Sequence, residues 1–162
     1  MPVGSVITSV KDAIAVVLGI FESAKREIVF ITPPSFLCLA TNYASAESAM
    51  QFIQRGGVVR AILPISRDNV EMVRKRLEFG EEMRHSDHFH DIFLIIGDKQ
   101  QSLSAINLDV QEYRLDTPLT AFWSESPTYA EYLLTSFENV WAEAVPSEVR
   151  IKELEEQDCP QA

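Results

Sequence analysis

All three histidines of the chain, His85, His88 and His90, fall within six positions and are interleaved with Asp87 and Asp91. Imidazole nitrogens and carboxylate oxygens are the donor set of a zinc site in which three protein ligands leave a fourth position open. On an extended strand His88 and His90 share a face, so a metal-dependent hydrolase using His85, His88 and His90 is one reading. The spacing matches no strong zinc signature, however, and histidines beside a strand more often hydrogen-bond to neighbouring acids. The sequence therefore assigns no metal ligand and no cofactor. Asp91 and Asp98 form a second pairing of interest, as an acid and a base. At about 3.3 Å of rise per residue they lie too far apart to share a proton unless the turn folds them together. Asp98 reads more simply as a turn residue whose carboxylate accepts nearby amides. No glycine-rich phosphate loop, serine nucleophile elbow or pair of CxxC motifs occurs in the chain, which disfavours those enzyme classes.

The elements around these residues alternate between helix and strand. Val10, Ile14, Val17, Leu18 and Phe21 follow the spacing of an amphipathic helix. A β-branched and aromatic run, EIVFI from Glu27, is halted by Pro33 and Pro34 and reads as a buried strand. Ala46, Ala49, Met50 and Ile53 share a helical face that stops at Gly56 and Gly57, after which VVRAIL forms a strand broken by Pro64. Strand, helix and strand within about forty residues allow a parallel crossover. A third helix, capped by Asp68 with Val70, Val73 and Leu77 inward, fades at Gly80. Asp91 to Ile96, the turn Gly97-Asp98, and Gln101 to Asn107 form an antiparallel hairpin. Leu119 to Trp123 is another strand. Ser126 and Pro127 then cap a helix whose face carries Ala130, Leu133, Leu134, Phe137, Val140 and Trp141. The predicted fold is α/β, a mixed β-sheet flanked by helices, over residues 1–146. Residues 147–162 are expected to be an acidic, mobile tail, with Val149, Ile151 and Leu154 able to make one helical turn.

The chain has 162 residues, the size of one domain. Its longest N-terminal apolar stretch, Ala13 to Phe21, is too short to span a bilayer, and no export signal precedes it. Cys38, read as a loop residue, and Cys159 in the tail suggest free thiols in a reducing compartment. A cytoplasmic protein with no membrane association is expected. The formal net charge of -10 predicts no contact with nucleic acid by this chain itself. Seven basic residues, Arg55, Arg60, Arg67, Arg74, Lys75, Arg76 and Arg84, nevertheless crowd one stretch. The simpler explanation is a solvated helix face carrying Arg74, Lys75 and Arg76, rather than a basic binding surface.

From Val10 to Ala144 the order of pieces resembles a single half of the phospholipase D superfamily. The resemblance is carried by EIVFITPPS, a helix and GGVVRAILP; by DIFLIIGDKQQSLSAIN; and by the helix ending FENVW. In that superfamily the hairpin bears a nucleophilic His, then a Lys two residues on and an Asp five residues after that, followed by a Gly-Ser-any-Asn segment. Aligning Asp98 with the family's Asp puts Asp91 where the His belongs and Phe93 where the Lys belongs. Ser104 and Asn107 fall near the serine-asparagine segment after a one-residue shift. A carboxylate repels phosphate and a phenyl ring offers no positive charge, so no catalytic residue is assigned.

The resemblance implies a sensing or regulatory role, because degenerate versions of this fold occur as sensor domains in archaeal and bacterial transcriptional regulators. It also implies a homodimer, since the enzymes pair two halves across a common site. A small-molecule ligand or a regulatory protein partner is expected. Asp91, Phe93, Ser104, Asn107 and Trp123 are the expected ligand-binding residues, with Phe122 and Tyr113 lining the same pocket; the alternative is ordinary core packing of these aromatic side chains. A divergent phosphodiesterase remains the enzymatic alternative beside the metal-dependent hydrolase.

Overall fold

The computed structural model describes residues 4–88, 92–106 and 114–158. Strand β1 (Gly4–Ser9) leads into helix α1 (Val10–Ser23), whose first amides are capped by Ser9 accepting from the Asp12 N–H at 3.2 Å. Then come β2 (Glu27–Ile31), α2 (Pro34–Asn42), α3 (Ser45–Gln54), β3 (Val58–Leu63), α4 (Val70–Glu78) and β4 (Glu82–His85). The hairpin β5 (Ile92–Gly97) and β6 (Gln101–Ile106) follows, then β7 (Pro118–Ser124), α5 (Pro127–Glu143), β8 (Val145–Pro146) and α6 (Ser147–Asp158). One mixed sheet runs β1-β7-β6-β5-β2-β3-β4-β8. β2, β3 and β4 are parallel neighbours and the remaining pairs are antiparallel.

The sheet is covered on both faces, which explains why β2 reads as an uninterrupted apolar run. Ile28 and Phe30 face the layer made by α1, α3 and their neighbours, while Val29 and Ile31 face α5. The same alternation sorts β5, with Phe93 and Ile95 on the first side and Leu94 and Ile96 on the second.

Several elements depart from the sequence expectation. Residues after Pro33 form α2 and not a loop, so Cys38 is an exposed helical residue. Proline at a helix's first position has no amide to lose and a preset φ, so Pro34 starts a helix as readily as it stops a strand. Asn69, not Asp68, precedes α4, and its side chain serves the preceding loop instead of the helix amides. Arg76 is not on a solvated face: it is 1% exposed. Its guanidinium meets Glu81 at 2.9 and 3.1 Å and donates to Thr41 at 2.8 Å and Ser45 at 2.7 Å, tying α2, α3 and α4 to the approach to β4. Burial pushes Glu81 above the usual carboxylate range against the pull of Arg76.

Residues 147–158 are not an unstructured tail but α6. Leu154 is buried in the core, Ile151 packs against it, and the Arg150 Nε–H donates to the Ile65 carbonyl at 3.0 Å. Covering a leucine is worth about 2 kcal/mol, enough to dock a short polar helix whose own amphipathic signal is weak. β1 and β4 were also not foreseen. No helix among the described residues is long and apolar enough to cross a membrane.

Candidate functional site

The parallel strands β2, β3 and β4 end together, at Ile31, Leu63 and His85. Ile31 also pairs with Leu94, near the start of β5. Ile92 pairs with Ile106, so the two termini of the hairpin strands belong to this same edge. Ligands of open α/β sheets gather outside the carboxyl ends of the strands.

The loop after β3 is fixed there by side chains. Ile65 donates its N–H to His85 Nδ1 at 2.8 Å. Asn69 donates to the Pro64 carbonyl at 2.8 Å and accepts from the Ser66 N–H at 2.9 Å. His85 Nε2 lies 3.1 Å from Asp87. Burial disfavours the imidazolium, and this outweighs Asp87, so the His85 pKa lies below its ordinary value. The neutral ring then accepts at Nδ1 and carries its proton on Nε2, toward Asp87. Open cavities flank the edge. One of about 460 Å³ is lined by Pro34, Cys38, Asn69, Met72, Asp87 and Arg150 among others. The other, about 370 Å³, lies between the 85–88 segment and the C-terminal half of α5.

The hairpin residues expected to bind a ligand do not share one surface. Phe93 is 5% exposed and packs on Phe36 with ring centroids 4.5 Å apart. Its cross-strand partner is Ala105, whereas Ser104 pairs with Leu94 and so faces α5 on the other side of the sheet. Trp123 pairs with Leu103 on the Phe93 side, with its Nε1 buried and without a partner among the described residues. Phe122 faces the opposite way and meets Tyr129 edge-on at 5.8 Å. Asp91, Asn107, His90 and Tyr113 lie outside the described residues.

Asp98 sits at the far end of the hairpin and has a definite task. Its carboxylate accepts the backbone N–H groups of Lys25, Arg26 and Glu27 at 2.7, 2.8 and 2.9 Å, and its own N–H donates to the Glu27 carbonyl at 2.8 Å. Burial pushes its pKa up, but the three amides together overcome that and hold it below the usual value. Asp98 and Lys99 both have positive φ, 53° and 59°, in a three-residue loop between Gly97 and its strand partner Gln101, whose neighbour Gln100 donates its N–H to the Gly97 carbonyl. Asp98 is thus a turn residue, but the amides it holds belong to the loop before β2 and not only to its own turn.

The histidines are likewise separated in role. His85 is 5% exposed and engaged at Nδ1, while His88 is exposed. Among the described residues no group of three His, Cys, Asp or Glu side chains is placed to hold a metal ion. Of the basic stretch, Arg60 pairs with Glu27 and Glu138, Arg74 with Glu71 and Glu155, and Arg76 with Glu81. Arg84 donates to the Trp141 carbonyl at 2.6 Å and stacks over its ring. Sequence reasoning missed the Asn69 and Arg150 supports of the edge. Their signal, a polar residue next to Pro64 in space, is not a sequence pattern.

This eight-stranded mixed sheet with a helical layer on each face is a phospholipase D-like α/β fold. Three solved structures carry that conclusion. Nuc from Salmonella typhimurium, a phospholipase D family member, matches with a TM-score of 0.67 at 18% identity, over 88% of this chain and 97% of its own. NucT from Helicobacter pylori matches with a TM-score of 0.67 at 10% identity, over 88% and 98%. TrmBL2, an archaeal chromatin protein whose structure shows a novel mode of DNA binding, matches with a TM-score of 0.70 at 16% identity. That match covers 90% of this chain, which spans only 55% of TrmBL2. No protein-family model and no curated protein matches the chain.

The TrmBL2 match corrects one expectation. The charge of -10 predicted no nucleic-acid contact by this chain, yet the fold is shared with a protein that binds DNA. Net charge sums over the whole surface, whereas phosphate contacts depend on where the cations stand.

Proposed function

We propose that the chain is a non-catalytic regulatory domain that works as a homodimer and responds to a small ligand or a partner protein. The observation that carries this reading is Phe93. The position aligned with the family's phosphate-binding lysine holds a ring buried against Phe36, so a phosphodiester could not reach a cation there. Asp98 supports it from the other side: this kept motif residue has its carboxylate saturated by backbone amides and serves the fold. With hairpin chemistry lost and the strand-end architecture kept, the carboxyl edge of β2 and β3 remains suited to binding. There Arg150 brings a positive charge and Asp87 a negative one, beside apolar Met72 and Pro34. Phe93 acts as packing behind this edge.

Thermal-shift measurements with sugars, phosphates, carboxylates and acyl compounds test the ligand arm. One class should raise the melting temperature saturably, and the rise should shrink in Arg150→Gln. A panel that leaves the melting temperature unmoved overturns ligand sensing. Duplex DNA belongs in the same panel, given the likeness to TrmBL2, and a saturable response to it would make nucleic acid the regulated partner.

A further inference from the structure

Three side chains hold residues 64–66 by their backbone groups. Asn69 takes the Pro64 carbonyl and the Ser66 N–H, Arg150 donates its Nε–H to the Ile65 carbonyl at 3.0 Å, and His85 accepts the Ile65 N–H at Nδ1. They differ in one respect. A carboxamide does not ionise and a guanidinium stays charged, whereas an imidazole changes from acceptor to donor near neutrality. Of these three supports, His85 is the one that a proton can withdraw.

The consequence falls on the cavities. Pro64, Ile65, Ser66 and Asn69 wall the one of about 460 Å³ at the carboxyl edge, and Arg150 of α6 adds to its lining. His85 itself lines the other, of about 370 Å³, together with His88 and Glu143, so solvent protons reach the ring although the residue is only 5% exposed. Asp87 lines both. Its side chain, 3.1 Å from His85 Nε2, is 72% exposed and free to move outward.

We propose that His85 is a proton-operated latch on the strand-end cavity: neutral, it fixes Ile65 and the cavity wall, and protonated, it releases them. Protonation places an N–H on Nδ1, facing the Ile65 N–H at 2.8 Å, and two donors cannot share that contact. Ile65 is fully buried, so its amide cannot turn to water without the loop moving. The imidazolium is drawn instead to Asp87. Because Arg150 grips the Ile65 carbonyl, α6 loosens with the loop. The groups around the ring set the balance. Burial opposes the imidazolium most strongly and Arg150 adds to it, while Asp87 and Glu153 favour it; the net effect keeps the ring neutral into mildly acidic solution. The latch rests on reading the carboxyl edge as the ligand site and gives that site a regulation, discharge of its ligand on acidification.

Heteronuclear NMR of the full chain, taken from about pH 8 to about pH 4.5, tests the latch with no ligand added. At the upper end the His85 ring should carry its proton on Nε2 and none on Nδ1. As the ring titrates, the Ile65 amide should lose hydrogen-exchange protection about tenfold or more with the same midpoint, and the α6 amides should follow. The β2 amides should keep theirs, which separates local release from acid unfolding. His85→Asn supplies an acceptor at the reach of Nδ1 that takes up no proton, so Ile65 protection should then be independent of pH over the interval. Ile65 protection that stays constant while the ring titrates, or that falls only together with β2, overturns the latch. So does a His85→Asn protein that still loses it on acidification. These results leave the ligand reading standing, whereas a ligand panel without response overturns that reading and leaves the latch.

Discussion

The two ends of the β5–β6 hairpin do different work in the fold. At the turn, Asp98 binds three backbone amides of the loop that starts β2. In the strand, Phe93, which the resemblance aligns with the family's lysine, is part of the core. The difference teaches that architecture and chemistry within one motif are separable. Acidic recognition of amides at the turn is compatible with a strand whose side chains pack the core.

Substitutions at the two ends sharpen this contrast. Phe93→Ala should cost about 3–5 kcal/mol in urea-induced unfolding, the range for emptying a buried aromatic site. Phe93→Lys should be at least as damaging and should bring no phosphodiester turnover, since the site it would restore faces the core; a stable, active Phe93→Lys protein would break the contrast. Asp98→Ala should cost less, about 2 kcal/mol, because its amides can partly turn to water. Its pKa is depressed in the folded chain, so its contribution is present above the ordinary value near 3.8 and is lost as pH falls through the folded pKa. Asp98→Ala should therefore flatten the acid limb of the stability curve.

The smallest effect belongs to His85. Its folded pKa is lowered, so below the ordinary value of 6.5 the unfolded chain binds the proton and the folded chain does not. Stability should decline as pH falls from about 6.5 through the folded pKa. Protonation would also remove the acceptor of the Ile65 N–H. His85→Gln should show a shallower decline over that interval, and an unchanged slope would mean that His85 is not the group responsible.

Much of the fold was legible because its signals are local. β2 and β3 are apolar runs closed by proline, the hairpin carries a Gly97-Asp98 turn, and α5 has Ser126 accepting from the Tyr129 N–H at its start, as the sequence pattern predicts. α2 is hidden in the sequence because Pro33 and Pro34 together look like a strand stop, while Pro34 is also a helix start. The burial of Arg76 was not legible at all, since it depends on Glu81, Thr41 and Ser45 meeting it in space. The candidate site shows a different kind of miss. Phe122 and Trp123 are consecutive on a strand, so alternation alone forbids them from lining one pocket. By the same rule Phe93, opposite Ala105, cannot face the way Ser104 does. That information was in the sequence once the register was known, but the register depends on the turn at Asp98 and Lys99.

Turnover of bis(p-nitrophenyl) phosphate by the purified chain, with and without zinc or manganese, bears most directly on the proposal that the hairpin is inactive. The rate should equal that of buffer under both conditions and stay there in His88→Ala. A rate well above buffer that His88→Ala abolishes would contradict it and restore an enzyme.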